Sequence, residues 1–147
     1  MEEVSANRIR PLAVIVGTAV DTVGSLITRF LVSSLMAVVI LSRGGDEADM
    51  DVWFTSLPYL LFSFLVSLGF VALGGFVAGR LAKQSELLNA GVIGAVEAFM
   101  SVLFVALVPM WFTLLYVVTV VPSALCGGYL AYRLRRRSSA APTSTMA

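Results

Sequence analysis

Gly74-Gly75-Phe76-Val77-Ala78-Gly79-Arg80-Leu81 closes one long apolar stretch of this chain, and Gly127-Gly128-Tyr129-Leu130-Ala131-Tyr132-Arg133-Leu134 closes another. In each copy two glycines lead through aromatic and apolar residues to an arginine, the order expected where a membrane helix reaches a cationic boundary. Outward from these copies, four stretches have the roughly 20 predominantly apolar residues that crossing a bilayer requires. They run from about Leu12 to Leu41, Leu57 to Arg80, Leu87 to Val108 and Met110 to Tyr132. The expected fold is all-α: a four-helix transmembrane bundle within residues 1–134, readable as two tandem helical hairpins. A basic and then disordered tail is expected over 135–147, since Ser138 to Ala147 has too little apolar content to pack.

Composition supports lipid as the main solvent. Hydrophobic residues are 59% of the 147 positions and charged residues 13%, with a mean hydropathy of +0.93, too few charges for the polar shell of a soluble domain. The net charge of +1 gives no reason to expect nucleic acid as a partner. Cys126 is the one cysteine and histidine is missing. The usual zinc, haem and iron–sulfur ligand sets are therefore absent, as are Ser-His and Cys-His catalytic pairs. Neither an enzymatic activity nor a cofactor is expected. The N-terminal apolar run is too long for a cleavable signal and reads as a retained anchor.

Charge sets the expected orientation. Arg8, Arg10, Arg80, Lys83, Arg133, Arg135, Arg136 and Arg137 fall on one side of a four-span arrangement, while Arg43 lies on the other beside Asp46, Glu47, Asp49 and Asp51. The positive-inside rule then puts both termini in the cytoplasm of a prokaryotic cell, with the chain as a multi-pass protein of its cytoplasmic membrane. Trp53, Phe54, Tyr59, Trp111 and Phe112 gather at the outer interface, and Tyr129 and Tyr132 at the inner one. The acidic segment Asp46 to Asp51 lacks the glycine and terminal glutamate of an EF-hand and reads as a solvated loop. Pro58 suits a helix start with Thr55 or Ser56 as cap, Pro109 a turn, and Pro122 a kink within the fourth span.

Small residues recur every four positions: Ala13 and Gly17; Gly75 and Gly79; Ala90, Gly94 and Ala98; Ser123, Gly127 and Ala131. Gly74 and Gly128 adjoin these stripes. Such spacing lets helix backbones approach closely in lipid, where van der Waals contact replaces apolar collapse. The stripes serve helix packing, within one chain or between copies. Expected partners are the lipid bilayer and either a second copy or another membrane protein.

Asp21, Arg29 and Glu97 are the ionisable groups within the spans. Gly17-Thr18-Ala19-Val20-Asp21 matches Gly94-Ala95-Val96-Glu97 with one residue of slippage, which places the two carboxyls in corresponding helices. From Pro11 and Asn89 they lie about 15 Å and about 12 Å deep. Each costs about 2.5–3.5 kcal/mol at mid-membrane if charged, so each needs a partner or a proton. Arg29 is about 12 Å beyond Asp21 along the helix and is expected to snorkel outward. Thr18, Asp21, Thr22, Ser25, Arg29 and Ser33 share one helix face. Two readings compete: a proton or cation site centred on Asp21 and Glu97, or a satisfied interhelical network. In a chain this small the expectation is the second.

At Gly74–Leu81 and Gly127–Leu134 the chain resembles small four-span prokaryotic integral membrane proteins of unknown function, which show Gly-Gly-aromatic-x-Ala-x-Arg at helix ends. The resemblance implies a four-span bundle and carries no catalytic residue. A carboxylate in the first span is also similar to the small multidrug-resistance exporters, four-span dimers. Glu97, Arg29 and the long outer loop depart from that pattern. The expected role is a non-enzymatic packing or assembly component of the membrane, with a small oligomeric proton- or cation-coupled transporter as the alternative.

Overall fold

The computed structural model describes residues 8–83, 85–103 and 109–139. Helix α1 spans Pro11–Ser42, α2 Glu47–Phe54, α3 Leu57–Ala82, α4 Glu86–Leu103 and α5 Met110–Ser139, and no strand occurs among the described residues. At 1.5 Å per residue α1 is about 48 Å long, well beyond a hydrocarbon layer of about 30 Å. The expected end of the third span, 104–108, lies outside the described residues, as does the tail from 140 to 147.

The helix ends follow local chemistry. Pro11 opens α1 where its missing N–H costs nothing. Gly44, at φ +80°, supplies the left-handed turn after it. The acidic segment is a helix rather than a loop. Asp46 accepts from the Ala48 and Asp49 amides at 2.9 and 3.2 Å, and Asp49 accepts the Asp46 amide at 3.1 Å. That reciprocal cap, with Glu47 as a further acid in the first turn, is enough to nucleate α2. Trp53 and Phe54 then stack on Tyr59 at centroid distances of 4.5 and 5.2 Å. Ser56 stands at the start of α3 but makes no side-chain cap; its hydroxyl donates to the Trp53 carbonyl at 2.6 Å. Helix α5 runs on through Pro122 and the basic run to Ser139, so the first two residues of the stretch expected to be disordered, Ser138 and Ser139, are helical.

Helix α3 touches every other helix, whereas α1 packs on α3, meets α4 and does not reach α5. Val71 of α3 and Val120 and Ala124 of α5 form the buried centre, with Ala98, Tyr116 and Val121 against them. Large apolar side chains face outward instead: Leu12 is 72% exposed and Phe30 71%, and Ile15, Leu31, Leu35 and Val38 lie open on the same helix. Exposure on this scale is untenable in water and ordinary in lipid. Among the described residues four helices are long and apolar enough to cross a membrane. The chain is a multi-pass integral membrane protein.

The expected small-residue contacts close within the chain. A methyl group built at Gly17 lies 2.7 Å from the Gly74 carbonyl oxygen, and one at Gly74 lies 2.6 Å from that of Gly17. At Gly75 it meets the Ala124 carbonyl, and at Gly127 the Ala72 carbonyl, both too close for any side chain. Gly79 faces Ala131 at 2.9 Å, Gly94 faces Val121 at 2.8 Å and Gly128 faces Ala90 at 2.5 Å. The two glycine pairs do not hold equivalent places. Gly74 turns to α1 and Gly75 to α5, but Gly127 turns to α3 and Gly128 to α4. Gly17 meets Gly74, whereas Gly94 meets Val121 and Ala124 rather than Gly127. The two helices of the second hairpin thus meet in a register shifted by roughly one helical turn from that of the first.

Candidate functional site

Beyond Gly17 and Gly74 the helices part. Because α1 and α5 never meet, a cavity of about 520 Å³ opens between them, floored by Ser67 of α3 and walled by Glu97, Met100 and Ser101 of α4. Asp21, Thr22, Ser25, Leu26 and Arg29 line it from α1, and Phe112, Thr113 and Tyr116 from α5. Leu26 and Met100 both line the cavity and stand exposed, so they mark its open side.

Asp21 is 3% exposed and sits at the seam between close packing and cavity. Its Cβ is 3.2 Å from a methyl built at Gly74, and its Oδ1 accepts the Ser25 hydroxyl at 3.3 Å. Glu97, on the neighbouring α4, comes within direct side-chain reach of Asp21. Tyr116 lies within electrostatic reach of both acids and of Arg29. The carboxyls that sequence placed at similar depth therefore share one chamber.

Arg29 is exposed, yet it is tied to the bundle rather than reaching outward. Its Nη2 donates to the Ser67 hydroxyl at 2.6 Å across the α1–α3 interface. In this antiparallel pair Asp21 lies against Gly74 and Gly24 against Phe70, so counting equally from those contacts puts Ser67 level with residues 27–28 of α1. The side chain therefore leans back only slightly toward the helix N-terminus, the direction in which helical side chains lean, and the guanidinium stays on the order of 10 Å from Asp21 along the axis. Among the described residues no ion pair joins Arg29 to either acid; the pair within salt-bridge distance is Arg135 with Glu86, at 2.5 Å.

Thr18 is half-buried and does not line the cavity, nor does Ser33. Ser67, Ser101, Thr113 and Tyr116 do, although nothing in the sequence reading singled them out. Ser63 and Ser67, one turn apart in an otherwise apolar span and both buried, were the available signal. Ser101 donates to the Ala98 carbonyl at 2.8 Å. Thr113 is 5% exposed, and its hydroxyl has no hydrogen-bond partner among the described residues.

A second polar cluster ties the opposite end of the bundle. Glu86, 7% exposed at the start of α4, receives Arg135 from α5. Asn89, fully buried, accepts the Arg10 amide at 2.8 Å and donates to the Ser85 carbonyl at 2.8 Å. An acid at a helix N-terminus is favoured by the backbone dipole as well as by its arginine. All members have partners, so this cluster is structural.

No known protein family, curated protein or solved structure matches this chain. The cavity's own donor set must carry the reading. No cluster of three or more potential metal-ligating side chains occurs among the described residues. Two carboxyls and a ring of hydroxyls suit protons and small polar solutes better than a multivalent metal.

Proposed function

We propose that the protein is a small proton-coupled transporter of the cytoplasmic membrane, with Asp21 and Glu97 as its shared proton site. The observation that carries this is the cavity itself: both acids, Arg29 and an unpartnered threonine hydroxyl line one chamber at membrane depth. Two carboxyls within reach of each other in apolar surroundings are held most readily with one proton between them. Loading or releasing that proton changes the charge of the chamber by one, which is how a pump or exchanger couples proton and solute. A purely structural network would close on itself and leave neither void nor orphan hydroxyl. The glycine stripes, which favoured an assembly role, are engaged inside the chain. The basic residues at the end bearing both termini support a cytoplasmic location for that end.

Two measurements test the reading. Dicyclohexylcarbodiimide, which modifies protonated carboxyls in apolar surroundings, is expected to label the wild type at Asp21 or Glu97, less at high pH. Liposomes carrying the protein and an internal pH dye are expected to take up protons under a potassium diffusion potential. Asp21→Asn and Glu97→Gln should remove proton uptake while membrane insertion persists. Neither labelling nor proton movement in the wild type would overturn the proposal.

A further inference from the structure

We infer that the cavity takes a small zwitterion, its ammonium end at Asp21 and Glu97 and its anionic end at Arg29. This names the solute class for the transport site proposed above and rests on that reading. The starting point is charge that the chain leaves unneutralised. An arginine that lines one cavity with two acids ordinarily ends in an ion pair, because each charge alone is expensive at membrane depth. Here Arg29 is held by Ser67 and Asp21 by Ser25, each through a hydroxyl, and neither acid closes onto the guanidinium. The chamber presents a negative pole and a positive pole instead of a neutral bridge.

A ligand of either single charge would satisfy one pole and face repulsion from the other. A molecule with both charges satisfies the two together. It also adds no net charge to the chamber, and each of its charges meets one of opposite sign there. The spacing sets its length: with the guanidinium at the level of Ser67, the poles are nearly two helical turns apart, roughly 10 Å. That favours an ammonium and a carboxylate separated by several methylenes over a compact α-amino acid. Leu26, Met100 and Phe112 provide an apolar lining for those methylenes. On the opposite wall, the buried Thr113 hydroxyl lacks a partner among the described residues and can bond either end of the ligand.

The test uses the full chain purified in detergent, with binding read by thermal shift and by equilibrium dialysis of labelled probes. The probes are glycine, 3-aminopropanoate, 4-aminobutanoate and 6-aminohexanoate, with butylamine and butanoate as single-charge counterparts. 4-Aminobutanoate or 6-aminohexanoate is expected to bind at least tenfold tighter than glycine, 3-aminopropanoate, butylamine or butanoate. Arg29→Gln should bring the preferred zwitterion down to the affinity of butylamine. Butylamine binding to the wild type as tightly as every zwitterion would overturn the inference, as would unchanged zwitterion binding by a folded Arg29→Gln protein. If Arg29→Gln does not fold, the wild-type series alone decides. Wild type that binds no probe yet retains carbodiimide labelling and proton uptake loses the zwitterion and keeps the proton site. Wild type that shows none of the three loses both.

Discussion

The two halves of this bundle are built from similarly apolar helices and reach opposite solutions. Toward the termini, Gly17 meets Gly74, Gly75 meets Ala124 and Gly127 meets Ala72, with backbone against backbone and no room for a methyl group. Toward α2, the α1–α5 gap holds two acids, an arginine, hydroxyls and a cavity of about 520 Å³. Apolar collapse cannot distinguish the halves, because lipid is as apolar as leucine. Side-chain size distinguishes them. Helices close where glycine and alanine face each other and part where Phe70 fills the space beside Gly24 and Arg29 reaches over to Ser67. Asp21 stands at the seam, against Gly74 on one side and lining the cavity on the other.

The sharpest way to break the contrast is to put bulk into the closed half. Gly127→Leu should drive a side chain into the Ala72 backbone and destabilise the folded monomer by more than about 3 kcal/mol, read as loss of the monodisperse species in detergent. In the open half the opposite sign is expected. Thr113→Val removes a buried hydroxyl that has no partner among the described residues and keeps the shape, so the unliganded protein should gain about 1–2 kcal/mol and a higher melting temperature. A lower melting temperature would mean that the hydroxyl is satisfied in the folded protein. Glu86→Gln weakens the Arg135 bridge at the closed end. Because the arginine is 47% exposed, the loss should be about 1 kcal/mol and should shrink in high salt. Smallest is Gly69→Ala in the middle of α3, where nothing lies within 4 Å of an added methyl. It should change stability by about 0.5 kcal/mol, in the stabilising direction, by helix propensity alone. A loss comparable to that of Gly127→Leu would show that the outward face of α3 is covered by another chain.

Much of the fold was legible in the residues because its signals are local. Run length and apolar content placed all four spans, and the Gly-x-x-x-small spacing marked the faces that pack. The depths of Asp21 and Glu97 followed from counting residues, and the structure puts their side chains together. Other features escaped for physical reasons. Helix α2 was read as a loop because acidic composition hid a capping box whose two hydrogen bonds decide the matter. Arg29 was expected at the lipid surface because its partner, Ser67, lies 38 positions away and no spacing rule connects them. The continuation of α5 to Ser139 was missed because a basic run reads as a boundary, yet arginine is a good helix former.

The sequence by itself determined that this chain lives in lipid, crosses it with helices and carries three ionisable groups where charge is costly. Those conclusions depend on transfer free energies summed along a single helix, which need no knowledge of neighbours. Only the tertiary structure decided that the helices close at one end and stand apart at the other, that Arg29 is tied to Ser67 rather than to an acid, and that Thr113 is left without a partner among the described residues. Those are properties of the space between helices, set by which side chains meet across it.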